Sequence, residues 1–373
     1  MEFMPFCSTE ICFTTLKGLQ TKLLSLNAKY LTVIANDSAV KRWNLQGLLK
    51  QLAENYDLTW INHVSANPTQ WDLITALEQI ETPPDLVIAL GGGSVIDLAK
   101  GISALYDPKR GYSYEEITHA IRNKLYLKKD HFIKIIAVPS TAGTGSEVTS
   151  WATIWDGDKQ SKYSIDAPGL KPALALIVPE LTLTALPALT LSTGLDALSH
   201  AVEAYWSKHT NPLVQELAYR AVELILGNLR SGIDRPDDLA VREFLCRGSV
   251  LAGLAFSQTR TTACHSISYP LTMLYDIPHG LAVALTLDPV SRMNKGHYPN
   301  DSQLMALFAD YGEISGWINQ VCHGVIQPKL SAFEITTQDL PKIVERAFTG
   351  GRMDNNPVDL SPEDVMGILK SVL

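Results

Sequence analysis

Four residues open the chemical reading of this chain. Asp196 and His200 stand four apart in GLDALSHAVEAY (194–205), a spacing that puts two side chains on one face of a helix. His265 and His279 follow in ACHSISYPLTMLYDIPHG (263–280), with Tyr269 one helical turn after the first. Taken singly, each has an ordinary reading: a surface Asp/His pair, a satisfied helix histidine, a turn histidine capping a carbonyl. Together, one carboxylate and three imidazoles make a four-ligand set of hard oxygen and borderline nitrogen. Such a set suits Fe²⁺ or Zn²⁺ and is poor for thiophilic metals.

Two further stretches are built to meet anions. LVIALGGGSVIDLAK (86–100) reads as strand, glycine turn and helix start. Gly91, Gly92 and Gly93 remove side chains that would keep a phosphate from the backbone, and Ser94 is expected to cap a helix whose dipole favours negative charge. The GxGxxG fingerprint is absent, because Ile96 occupies its last glycine position. A tight turn between buried elements is the competing reading. PSTAGTGSEVT (139–149) follows another apolar run, and its Ser140, Thr141 and Thr144 can donate to a ribose or phosphate, or serve local turn chemistry. Two such loops at strand ends favour a nucleotide. A metal beside a nicotinamide could polarise a carbonyl while hydride moves.

The elements that must position these residues fall into two textures. LTVIAN (31–36), LTWINHV (58–64), DLVIAL (85–90), KIIAVP (134–139) and ALALIVP (173–179) are short apolar runs suited to buried strands. Helical patterns such as WDLITALEQI and VIDLAKGISALY lie between several of them, which predicts a mainly parallel sheet with helices on its faces. From about Pro187 the apolar spacing becomes three and four residues, in segments separated by Gly, Pro or Asn. The expectation is an α/β dinucleotide-binding domain over 1–185 and an all-helical, metal-binding domain over 186–373.

Composition narrows the class. Of 373 residues, 46% are apolar and 19% charged, which supports a large core and argues against disorder. A net charge of −8 without a basic run argues against a nucleic-acid or anionic-membrane partner on electrostatic grounds. The five scattered cysteines form no CxxC pair and read as reduced thiols of a cytoplasmic enzyme. MEFMPFCSTE has no charged head followed by an apolar run, and no apolar stretch reaches bilayer length, so neither a signal peptide nor a membrane partner is expected.

Read in order, NPT (67–69), GGGSVIDLAK, PSTAGTGSEVT, PELTLTALP, TGLDALSHAVEAY, GLAFSQ, HSISYPLTMLYDIPHG and NNPVDLSPEDV resemble the iron-containing, group III alcohol dehydrogenases over nearly the whole chain. The resemblance implies a dehydroquinate synthase-like fold, with cofactor and metal meeting between the two domains, and a homodimer. It places Asp196, His200, His265 and His279 at the metal positions, Gly91 to Ser94 and Asp97 at the pyrophosphate loop, and Ser140, Thr141 and Thr144 at the second cofactor loop. Asn67, Thr149, Lys162 and Leu181 match further cofactor-lining positions. Asp37 matches the acidic residue that meets the adenosine ribose, which favours NAD(H) over NADP(H).

One departure separates the chain from the family pattern HxxxHPLG. Tyr269 stands at the second histidine, a proposed proton relay, and Thr272 at the glycine. HSISYP resembles the branch that reduces phosphonoacetaldehyde to 2-hydroxyethylphosphonate. On that reading Tyr269 could supply the proton if the cation lowers its pKa from about 10, with bound water, the cofactor ribose or a mere packing role as alternatives. Arg260 or Arg352 could clamp the phosphonate, or be ordinary solvated arginines. The rivals are a general short-chain alcohol or diol dehydrogenase, a dehydroquinate synthase-like cyclase, and a silent binding protein that keeps the cleft.

Overall fold

The computed structural model describes residues 7–108, 111–156 and 161–373, the last range without the side chain of Ser161. The opening six residues, part of the stretch without a leader pattern, lie outside it. Two compact units emerge: one comprises 1–141 and 146–184, the other 142–145 and 185–373. The chain therefore enters the second unit briefly, inside the hydroxyl-rich loop, before crossing for good after Thr184.

The first unit holds a six-stranded parallel sheet. Its strands are β1 (Glu10–Phe13), β2 (Tyr30–Ile34), β3 (Asp57–Ile61), β4 (Leu86–Gly91), β5 (Lys134–Pro139) and β8 (Leu174–Ile177), in the order β1-β8-β5-β4-β2-β3. All five strands expected from the apolar runs are present. Two pieces were not foreseen: edge strand β1, and an antiparallel hairpin of β6 (Trp151–Asp156) and β7 (Ser161–Asp166). WATIWD carries little signal for β6, because its half-buried face holds Trp151 and Trp155 and its buried face ends in Asp156, so apolar and polar residues do not alternate.

Alternate side chains of each central strand enter different cores. Val33, Ile88, Leu90 and Ile136 pack with helices α1 (Leu16–Leu24), α2 (Asp37–Arg42) and α3 (Gln46–Asn55). Ile34, Val87, Ala89 and Ile135 pack with α4 (Gln70–Glu78), α5 (Gly93–Leu105) and α6 (Tyr114–Arg122). Both faces are thus covered, which explains why these strands read as continuous apolar runs. From β2 the chain steps outward to β3, then returns past β2 to β4 and continues the other way to β5. That reversal makes a switch point beyond the carboxyl ends of β2 and β4, where open α/β sheets bind ligands.

Every regular element among the described residues of the second unit is a helix. Pro187 starts α7 (Pro187–Trp206), where its missing N–H costs nothing. Asn211 caps α8 (Pro212–Asp234) and Asp238 caps α9 (Leu239–Thr259), each accepting a first-turn N–H. These three long helices pack on one another, followed by α10 (Ala263–Tyr275) and α11 (His279–Ala284). No helix of the described residues is long and apolar enough to cross a membrane.

Candidate nucleotide loops and metal centre

In the first unit the glycine loop closes β4 and opens α5, at the switch point itself. The expected cap is corrected here: the N-cap of α5 is Gly92, with no side-chain cap bond, while Ser94 lies in the first turn. Ser94 Oγ accepts instead from Asn67 N at 3.2 Å, and Asn67 takes a left-handed backbone. A glycine N-cap leaves the first-turn N–H groups without a competing side-chain acceptor, which suits an anion better than a serine cap. The neighbouring loop is held against it, because Ser140 N donates to Gly91 O at 3.0 Å and Thr141 flanks Gly92.

The remaining cofactor candidates separate. Asp37 begins α2 just beyond β2, on the switch-point side, with its exposed carboxylate paired to Lys41 at 2.6 Å. Asp97 is turned inward, accepting from Ser146 Oγ and Thr153 N at 2.8 and 2.9 Å. Burial pushes its carboxyl up, against the pull of Lys100 and Lys162. Lys162 is half-buried on β7. Thr149 and Leu181 are interior residues, with Thr149 Oγ1 accepting from the fully buried Lys100 and Leu181 O from the Trp43 indole. Thr144 belongs to the short loop segment that groups with the second unit.

In the second unit the metal candidates converge. Helix α7 is buried almost all round and carries Asp196, His200 and Glu203 inward. His265 comes from α10, and His279, expected in a turn, is the first residue of α11. Gly280 permits this approach: a Cβ there would lie 1.8 Å from Ser192 O, on the turn of α7 that precedes Asp196. The Nε2 atoms of His265, His200 and His279 lie 3.5, 3.7 and 3.8 Å from Asp196 Oδ1. Ligands about 2.1 Å from one ion at tetrahedral angles stand about 3.4 Å apart, so these separations match a shared cation. Ligand atoms of Asp196, His265 and His279 all fall within 4.8 Å of one another. His200 stands beside this trio, its ring stacked on His265 at 4.6 Å and on Phe256 at 4.0 Å.

Two buried atoms, Asp196 Oδ1 and His265 Nε2, have no hydrogen-bond partner. Buried polar atoms left this way are costly unless something else meets them, and a divalent cation would meet both. The outer nitrogens are engaged as metal-binding histidines require: His200 Nδ1 faces Gly143 O at 3.3 Å, and His265 Nδ1 meets the Glu203 carboxylate. Without a cation, burial drives His200 down to about 4, whereas Glu203 and Asp196 overcome burial at His265 and raise it to about 10. Burial opposes the charge on Asp196, yet the surrounding imidazoles hold its carboxyl well below the usual range. The donor set therefore fits Fe²⁺ or Zn²⁺.

Residues 9–179 match iron-containing alcohol dehydrogenase, and residues 190–373 match the C-terminal part of the Fe-containing alcohol dehydrogenase family. The chain belongs to the iron-containing alcohol dehydrogenase family. It is an oxidoreductase of the kind that acts on small alcohols and aldehydes, in a family that uses a nicotinamide cofactor and a divalent metal. A 1-propanol dehydrogenase of Salmonella typhimurium is 29% identical, over 95% of this chain and 99% of the relative. A 1,3-propanediol dehydrogenase of Klebsiella pneumoniae is 36% identical, over 77% and 75%. The structure of a sulfoacetaldehyde reductase from Bifidobacterium kashiwanohense with NAD⁺ superposes with a TM-score of 0.86 at 26% identity, covering 100% and 99% of the two chains.

Tyr269 and the arginines complete the enzyme's candidate residues. The Tyr269 ring lies parallel to that of His279 at 6.1 Å. Arg260 follows α9 with φ 61° and ψ −176°, a backbone region that normally belongs to glycine. Its guanidinium reaches Gly351, with Nη1 3.8 Å from where a Cβ would stand. Arg352 Nη1 donates to Gly351 O at 2.7 Å, so two arginines separated by 92 positions (352 − 260) meet at one glycine. Asn355 links the two segments, donating to Thr261 O at 3.1 Å and to Gly351 O at 2.9 Å. Glu203 escaped the sequence reading. Its signal was present, since it stands three residues after His200 and seven after Asp196, on the same helix face.

Proposed function

We propose that the enzyme reduces a small anionic aldehyde to its primary alcohol, with phosphonoacetaldehyde, giving 2-hydroxyethylphosphonate, as its substrate. The observation that carries this reading is Arg260. A non-glycine residue in that backbone region costs on the order of 1–3 kcal/mol, and the strained residue is a cation whose guanidinium reaches Gly351, the residue next to Arg352. Both arginines reach Gly351, and their planar forks match phosphonate oxygens bidentately. The similar sulfoacetaldehyde reductase is named for a two-carbon aldehyde with a sulfonate, a group of comparable shape and sign.

Asp196, His200, His265 and His279 would hold the metal, and the Gly91–Ser94 and Ser140–Thr141 loops the nucleotide. When bound, the metal supplies Lewis-acid polarisation of the carbonyl and the nicotinamide supplies the hydride. The arginines orient the substrate by its anionic end. Tyr269, beside His279, holds the proton that the product oxygen takes. Asp37 beyond β2 favours a ribose 2′-hydroxyl and hence NAD(H), although its partner Lys41 offers a charge that a 2′-phosphate could use.

The test is NADH oxidation by Fe²⁺-reconstituted enzyme with phosphonoacetaldehyde, sulfoacetaldehyde and propionaldehyde, for wild type, Arg260→Ala and Arg352→Ala. A preference for the anionic substrates that collapses in both variants is expected. Equal or better use of propionaldehyde would instead make this a general short-chain alcohol or diol dehydrogenase, the reading favoured by its propanol and propanediol relatives.

A further inference from the structure

We infer that Glu203 is a positioning residue for the metal centre: it sets which ring nitrogen of His265 faces the ion. The inference is independent of which aldehyde is reduced. Glu203 is fully buried on α7, and its two carboxylate oxygens have separate tasks. Oε1 accepts from Thr262 Oγ1 at 2.7 Å, Cys264 N at 2.8 Å and His265 N at 3.3 Å. Oε2 meets His265 Nδ1.

The two backbone donors on Oε1 belong to the first turn of α10, whose N-cap residue Thr262 makes no side-chain cap bond. Glu203 therefore closes the start of the helix that carries His265 and orients the ring on that same helix. The Thr262 hydroxyl is also fixed from the other side, accepting from the Trp206 indole at 2.9 Å. A carboxylate oxygen can only accept. Facing Oε2, Nδ1 must therefore carry a proton, which leaves Nε2 to present its lone pair. Nε2 is the ring atom without a hydrogen-bond partner, 3.5 Å from Asp196 Oδ1.

Glu203→Gln separates this role from simple helix capping. The backbone N–H groups of Cys264 and His265 require an acceptor, so the carbonyl oxygen of the introduced amide stays with them and its NH₂ turns toward His265. Nδ1 must then accept, and the neutral ring carries its proton on Nε2, the wrong tautomer for the metal. In the full chain, Zn²⁺ affinity measured against a competing chelator is expected to fall about 10- to 100-fold, the range for an outer partner of a metal-binding histidine. A folded variant that binds Zn²⁺ within about threefold of wild type overturns the inference, because capping alone would then account for the contacts. Should Glu203→Gln fail to fold, wild-type protein labelled with ¹⁵N-histidine and loaded with Zn²⁺ decides the matter. The expected spectrum has Nε2 of His265 metal-bound and a far-downfield proton on Nδ1; a metal-bound Nδ1 overturns it.

Discussion

The two chemically equipped regions of this enzyme are made of different material. The proposed anion loops of the first unit are chiefly main chain: a glycine N-cap at Gly92, the first-turn N–H groups of α5, and a neighbouring loop anchored by a backbone bond from Ser140 to Gly91. The proposed metal centre of the second unit is made of side chains that three helices bring in from positions 196 to 279. A site made of backbone depends on chain path and tolerates many side-chain changes. A site made of side chains fails with any one of them, and it burdens a buried helix with two carboxylates that need partners.

The strongest way to break this contrast is Asp196→Ala. Metal affinity and turnover should fall by more than the roughly 100-fold that losing an outer partner costs, while NADH binding, followed by nicotinamide fluorescence, stays within about twofold. Equal loss of both would mean that the regions are not separable. Next comes Gly280→Ala. The added methyl collides with Ser192 O, so a stability loss of at least about 1–3 kcal/mol is expected, with weaker metal retention because α11 and His279 must back away from α7. Unchanged denaturant midpoint and metal content would remove the close approach as a cause.

Arg260→Gly probes the strained corner of the second unit. Glycine suits φ 61°, ψ −176°, so unfolding free energy should rise by up to about 1–3 kcal/mol while the preference for an anionic aldehyde disappears. A variant that is both less stable and equally selective would contradict the strain argument.

Lys100 gives a smaller, pH-dependent effect in the first unit. Burial lowers it to about 8, against the pull of Asp97, Glu147 and Asp166, although the unfolded chain holds that proton to near 10.5. Between these values the unfolded state binds more protons, so this group's contribution to stability rises with pH and is least favourable below pH 8. Wild type should therefore gain stability relative to Lys100→Met from pH 8 to 10 in denaturant titrations; parallel curves would refute the burial effect. The smallest change belongs to Ser94→Ala. Because Ser94 is not the helix cap, NADH affinity should move by less than about threefold.

Much of this was legible in the residues themselves. Continuous β-branched runs such as KIIAVP marked the buried parallel strands, because a strand covered on both faces has no polar side. Asp196 and His200 announced a shared face through their spacing alone, and GGGS announced a phosphate-sized gap in the side chains. The WATIWD strand went unread because apolar residues stand on both of its faces, with half-buried Trp151 and Trp155 opposite buried Ala152 and Ile154, so no alternation shows in the sequence. Gly92 displaced Ser94 as cap by a register of two residues, which local preference cannot settle.

By itself, then, the sequence determined which chemistry each region could perform: residue types, helical and strand periods, and the family to which they belong. Only the tertiary structure decided which atoms act together. It packed α10 and α11 against α7, leaving Asp196 Oδ1 and His265 Nε2 buried and facing one another. It also brought Glu203 beneath the start of α10, and Arg260 and Arg352 to one glycine across 92 positions (352 − 260). The physical reason is range. Propensity and spacing act over a few residues, whereas burial and unmet hydrogen-bonding capacity are set by whatever the packed chain brings alongside.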